Sequence, residues 1–152
     1  SLRRQRQMCI RDRFGRPIAE FQGLQWMLAD MSVQLEAARA LLHKAALSAG
    51  HNGSPFPDPT LAAQGKIFTS EMALKVTTDA LQVFGARGYS RNYPMERLAR
   101  DARMFTIGGG TAQILRTVVA SRILESKLPQ TRDGYTKLAE IEAARTDLQA
   151  AE

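Results

Sequence analysis

A single cysteine, Cys9, in 152 residues leaves an internal disulfide nothing to join and gives a thiolate metal site no second ligand. Histidine is almost as scarce. His43 falls in a helical stretch and His51 in a Gly/Pro loop, a spacing that suits neither a metal site nor a catalytic pair. No apolar run approaches the roughly 18 residues that a membrane span requires. The chain does not open on an apolar segment with a small-residue cleavage site, so secretion is unsupported and a cytoplasmic location is expected. Aromatics are only 7% of the chain, and none precedes Phe14. Residues 1–16 hold six Arg and one Asp, +5 of the formal +6 charge. Without interleaved rings this basic arm has no stacking platform for bases, and no nucleic-acid partner is expected. Strand-like alternation is absent throughout.

What the chain does have is helix-forming sequence. Its apolar content of 44% is ordinary for a globular domain, and Ala and Leu are abundant. From Ile18 to Ser48 the apolar residues advance by threes and fours (Ile18, Phe21, Leu24, Met27, Leu28, Met31, Leu35), with Gln and charged residues on the other faces. Gly50 to Pro55 then forms a loop. The spacing of Phe68, Met72, Val76, Ala80 and Phe84 predicts a second helix from Thr60, as N-cap, to Phe84, with Gly85 and Gly88 stopping it. Met95 to Met104 reads as a short helix. Gly108-Gly109-Gly110 breaks the chain before a fourth helix over 111–127. A polar stretch follows Pro129, with a thinly striped helix expected from Tyr135 to Glu152.

Two glycine-bearing turns invite comparison with nucleotide loops. Gly85-Ala86-Arg87-Gly88 follows a helix where a dinucleotide fingerprint requires a strand, and Gly108-Gly109-Gly110 lacks the Lys-Ser/Thr of a phosphate loop. Free N–H groups at the start of the Thr111 helix nevertheless suit a phosphate or an oxyanion.

Six segments occur in a characteristic order: Phe14-Gly15-Arg16-Pro17-Ile18, Glu20-Phe21-Gln22, Asp79 to Gly85, Tyr93-Pro94-Met95-Glu96-Arg97, Arg100-Asp101-Ala102-Arg103 and Gly110-Thr111-Ala112-Gln113. In order and spacing, from Phe14 to Leu124, they resemble the C-terminal helical domain of acyl-CoA dehydrogenases. The resemblance implies an all-α, antiparallel up-down helical bundle over residues 14–128, lacking its first helix. Residues 1–13 are then a non-native or disordered basic arm, and 129–152 a polar tail. Left without their neighbours, such helices are expected to be marginally stable or self-associated.

The resemblance also implies FAD as cofactor, an acyl-CoA substrate, a homotetramer or dimer, and electron-transfer flavoprotein as a possible acceptor. Gln82, Val83, Phe84, Gly85 and Ala86 match a segment lying against the FAD diphosphate of a neighbouring subunit, with Ala86 replacing a common glycine. Phe21 and Gln22 match a second cofactor-proximal pair. Thr111, Ala112 and Gln113 match the cofactor-contacting start of the last helix, and Gly110 the substrate-side glycine before it. Arg11 falls where the family places an arginine on the diphosphate, although the usual Arg-x-Thr/Gln-Phe-Gly is here Arg11-Asp12-Arg13-Phe14-Gly15.

One position departs from the family pattern in a way that bears on chemistry. Many members read Tyr-Glu-Gly-Thr, and that Glu removes the substrate's α-proton; this chain reads Gly108-Gly109-Gly110-Thr111. Gly109 keeps a backbone N–H for the thioester oxygen but supplies no base. Some branches of the family place the Glu on the preceding bundle helix, which this chain does not include. Three functions therefore stand at this point: α,β-dehydrogenation of an acyl-CoA with hydride passing to flavin N5, a related flavin oxidase or monooxygenase activity, and a non-enzymatic helical module whose basic arm meets an acidic partner.

Overall fold

The structure, a computed structural model, describes residues 12–126 and 132–149. It begins with a feature that the sequence pattern does not announce. Strands β1 (Asp12–Arg13) and β2 (Arg16–Pro17) pair antiparallel, Asp12 opposite Pro17 and Arg13 opposite Arg16. The turn between them has φ +55° at Phe14 and +75° at Gly15. Two consecutive positive φ values match the twist of a two-residue hairpin, so a four-residue pairing too short for visible alternation still forms.

A 3₁₀ turn, Ile18–Glu20, leads into helix α1 (Gln22–Leu47). The predicted first helix is therefore split: Ile18 is buried ahead of the α-helix, and Phe21, in extended conformation, joins the two. Helix α2 (Pro59–Phe84) starts one residue before the predicted Thr60, because Asp58 is its N-cap. The Asp58 carboxylate accepts from the Leu61 N–H at 2.9 Å, and Pro59 occupies the first turn, where its missing N–H costs nothing. Gly85, at φ +62°, ends α2.

Gly88 has a different role from the helix stop expected of it. It lies buried in the one-turn helix α3 (Ala86–Tyr89), folded tightly against the last turn of α2. Helix α4 (Met95–Phe105) and helix α5 (Ala112–Ile123) follow. α5 ends earlier than the predicted Lys127, with Glu125 at φ +49° just beyond it. Helix α6 spans Arg132–Gln149, beginning three residues before the expected Tyr135; along it Tyr135 and Ile141 are exposed and Leu138 is half-buried.

α2 is the spine of this all-α bundle, with α1, α4 and α5 each packed along it. Small residues let α1 approach: Ala38 and Ala45 on α1 and Ala63 and Gly65 on α2 are all buried, and a β-carbon at Gly65 would lie 3.7 Å from Leu42. The clearest apolar cluster sits at the hairpin end, where Ile18 and Val83 are buried among Phe21, Leu24, Met27, Leu28 and Phe84. Elsewhere large side chains are left in water, Trp26 being 63% exposed, Val33 67% and Ile123 69%. Each forfeits much of the roughly 1.5–3 kcal/mol that full burial contributes. That shortfall is the physical basis for expecting the isolated chain to be marginal. None of the described helices is long and apolar enough to cross a membrane.

Candidate functional site

The glycine turn between α4 and α5 is built from both sides. On the α4 side, Met104 C=O accepts from the N–H groups of Ile107 (3.0 Å) and Gly108 (2.8 Å). Gly109 and Gly110 then take left-handed conformations, φ +67° and +87°, which glycine adopts without a β-carbon penalty. On the α5 side, Thr111 is the N-cap: its hydroxyl oxygen accepts from the Ile114 N–H at 3.2 Å, and Thr106 C=O takes the Ala112 N–H at 3.1 Å. Among the described residues the N–H groups of Gly109, Gly110 and Thr111 meet no acceptor. Three successive free donors at the positive end of a helix suit an anionic or developing oxyanionic group. Lys66 of α2 reaches across to the same turn, its ammonium donating to Gly110 C=O at 2.5 Å.

Beside this turn a cleft of about 430 Å³ opens between α2 and the α4–α5 junction, with Thr111, Gln113, Arg103, Lys75 and Asp79 on its walls. Lys75 and Asp79 pair at 2.6 Å. Glu71, one turn earlier, takes both terminal nitrogens of Arg116, Nη1 to Oε1 and Nη2 to Oε2, each at 2.8 Å. This fork ties α5 to α2. The Arg116 hydrogen bond, aided by its charge, holds the Glu71 carboxyl below its ordinary value despite some desolvation. A lowered carboxyl pKa contributes stability above the ordinary carboxylate range, and that contribution is lost as pH falls through the lowered value. With both side chains about half exposed the contribution is small. Glu71→Gln should therefore remove a slight acid-side loss of stability, a Tm effect on the order of 2 °C or less. Thermal melts at pH 3–7 check it.

The expected cofactor-facing residues fall into two groups. Gly109, Gly110, Thr111, Ala112 and Gln113 form the turn and helix start, although the Ala112 side chain is buried in the bundle, leaving Thr111 and the exposed Gln113 to meet a ligand. The second group lies at the hairpin end. Phe21 is covered on one side by the Arg16 guanidinium at 4.2 Å and met edge-on by Phe14 at 6.2 Å, and Gln22 and Gln82 are exposed. Val83 does not face this surface. The whole residue is 3% exposed and packs on Ile18, so it offers a ligand neither side chain nor backbone. Phe84 and Gly85 are half-buried, and the Ala86 methyl is exposed. Along α2 the two groups stand about 24 Å apart, 16 residues from Lys66 to Gln82 at roughly 1.5 Å each. Arg11 lies outside the described residues.

Sequence reasoning missed Lys66, Lys75, Arg103 and the Glu71–Arg116 fork as members of this region. Lys66 and Gly110 are 44 residues apart, as are Glu71 and Arg116 to within one. Only the packing of α5 on α2 joins them. On α4, Glu96 pairs with Arg100 at 2.8 Å, i to i+4.

The chain belongs to the acyl-CoA dehydrogenase family, whose "Acyl-CoA dehydrogenase, C-terminal domain" model matches residues 6–124. It is 69% identical over 130 residues to a 3-sulfinopropanoyl-CoA desulfinase of Advenella mimigardefordensis, covering 86% of this chain and 31% of the relative. A short-chain-specific acyl-CoA dehydrogenase of Clostridium acetobutylicum is 43% identical over 113 residues, 74% of this chain and 29% of the relative. The solved butyryl-CoA dehydrogenase of Megasphaera elsdenii superposes with a TM-score of 0.71 at 41% identity, over 77% of this chain and 30% of that one. The chain thus spans about a third of the length of the relatives it matches.

Proposed function

We propose that this chain is the C-terminal helical part of an FAD-containing, homo-oligomeric enzyme that removes sulfinate from a 3-sulfinoacyl-CoA. The observation that carries this reading is Gly109. Dehydrogenation needs a carboxylate to take the α-proton, whereas desulfination does not. The overall change is 3-sulfinopropanoyl-CoA plus water giving propanoyl-CoA plus hydrogensulfite. The C3–S bond breaks, C3 gains hydrogen and is reduced, and sulfur is oxidised by gaining the oxygen of water. Electrons balance within the substrate, so no external acceptor such as electron-transfer flavoprotein is required. The higher similarity to the desulfinase than to the dehydrogenase, 69% against 43%, points the same way.

The residues present fit FAD. The free Thr111 N–H, the Thr111 hydroxyl and the Gln113 amide suit one end of a polar cofactor, and Gln22, Gln82 and the backbone over 84–86 suit another. Their separation along α2 agrees with a cofactor bound between two copies of the bundle. When bound, FAD supplies two-electron redox chemistry that side chains lack. The chain's own contribution is to hold the thioester oxygen at the Gly109 N–H, with the N-cap Thr111 and the exposed Gln113 beside it.

The second reading, α,β-dehydrogenation, is favoured by the family as a whole and places the base on another segment. One experiment separates the two. The complete flavoprotein is given 3-sulfinopropanoyl-CoA with no electron acceptor, and sulfite is measured. Multiple turnovers of sulfite release are expected, with no bleaching of the flavin by propanoyl-CoA or butyryl-CoA. Bleaching by a saturated acyl-CoA, together with acceptor-dependent turnover and no sulfite, would establish dehydrogenation instead.

A further inference from the structure

We propose that Lys66 is a positioning residue for the thioester site, holding the Gly109–Gly110 turn in the conformation that presents its N–H groups to the acyl carbonyl. The inference rests on the proposed acyl-CoA binding but not on which reaction follows. Lys66 is half-buried on α2, and its ammonium donates to Gly110 C=O at 2.5 Å. Upstream, the turn is anchored by Met104 C=O on the Gly108 N–H, and downstream by Thr106 C=O on the Ala112 N–H. Between these anchors lie two glycines, the most permissive residue type, with no atom within 4 Å of a β-carbon built at Gly109. Such a dipeptide has many accessible conformations, and the described structure gives it one side-chain tether.

The peptide plane transmits that tether. Because the Gly110–Thr111 peptide is planar and trans, fixing the Gly110 carbonyl also fixes the direction of the Thr111 N–H on the opposite side. The restraint limits φ and ψ of Gly110, through them the Gly109–Gly110 peptide, and through Gly109 the Gly108–Gly109 peptide that carries the Gly109 N–H. A charged donor suits this job, since hydrogen bonds from ionised groups are about twice as strong as neutral ones. The same α2 helix grips α5 one turn further along through Glu71 and Arg116. Lys66 sets the turn, and the fork sets the helix behind it.

The test uses the complete flavoprotein and two ligands without a sulfinate that differ only at the carbonyl: propanoyl-CoA, a thioester, and propyl-CoA, its thioether. Calorimetric titration gives Kd for each with wild type, Lys66→Met and Lys66→Arg. Lys66→Met should weaken thioester binding about 3- to 10-fold, the worth of one hydrogen bond, and leave thioether binding within about 2-fold. Lys66→Arg should recover most of the loss. FAD content, read from the absorbance ratio, should stay unchanged in both variants. Equal losses for thioester and thioether would reveal general structural damage and overturn the inference, as would no loss for either. Should Lys66→Met fail to accumulate, Lys66→Gln gives the same comparison. Thioester-selective loss together with absence of sulfite release would uphold Lys66 while rejecting desulfination.

Discussion

Gly88→Ala should destabilise the bundle by about 3 kcal/mol, at the upper end of overpacking costs in a well-packed interior. A β-carbon at Gly88 would lie 2.5 Å from Leu81 O and 2.8 Å from the Phe84 β-carbon. Neither neighbour can swing away, because one is helix backbone and the other is fixed to it. Relief requires α3 to lift off the end of α2. That movement would carry with it the Gly85 cap and the backbone over 84–86 proposed to face FAD. The variant should therefore lose both stability and cofactor. For a bundle of this size the Tm should fall by about 6–12 °C, and FAD should be released at lower urea than in wild type. Gly65→Ala is the matched control on the same helix. Its β-carbon would meet Leu42 at 3.7 Å and Ala45 at 3.9 Å, ordinary van der Waals distances, and should cost less than about 1 kcal/mol. Similar melting of the two variants would mean that α3 is not wedged against α2 as described.

Gly88 also shows where the sequence was readable and where it was not. Two glycines three apart after a long apolar period look alike as helix stops. Gly85 behaves as one, with φ +62°. Gly88 is a contact glycine instead, and only the fold of α3 onto α2 reveals that. The long helices were legible because α1 and α2 each bury one face over seven turns, which a period of 3.6 records directly. The hairpin was not, since two-residue strands are too short for alternation to register. In the site, the turn and helix start from Gly109 to Gln113 were marked by local glycine and N-cap signals. Lys66, Glu71 and Arg116 were not, because their partners are distant in sequence and their spacing on α2 is ordinary for a solvated helix face. Val83 was legible as part of a family segment, yet its side chain went to the core, since neighbouring residues on a helix point different ways.

Gly109→Glu in the complete flavoprotein should exchange one chemistry for another. The cost is conformational. At φ +67° an L-residue loses about 1–2 kcal/mol, a factor of roughly 5–30, although nothing within 4 Å obstructs the new β-carbon. A positioned general base is worth about 10²–10⁴-fold, which exceeds that loss. Bleaching of the flavin by propanoyl-CoA should therefore appear, at a rate at least about 3-fold above wild type. Sulfite release should fall, because the new carboxylate faces a sulfinate anion. Like charges 4 Å apart repel by about 4 kcal/mol at an effective dielectric of 20, and at twice that distance still by about 2 kcal/mol, roughly 30-fold in rate. Gly109→Gln separates the causes. It carries the same backbone strain without charge or base, so it should lose only the 5–30-fold of strain in sulfite release and gain no bleaching. Equal sulfite losses in the Glu and Gln variants would show that conformation alone, and not the missing charge, makes glycine necessary at this position. Absence of bleaching in Gly109→Glu would show that the left-handed turn aims a side chain away from the α-carbon, so that restoring the base also requires restoring the backbone.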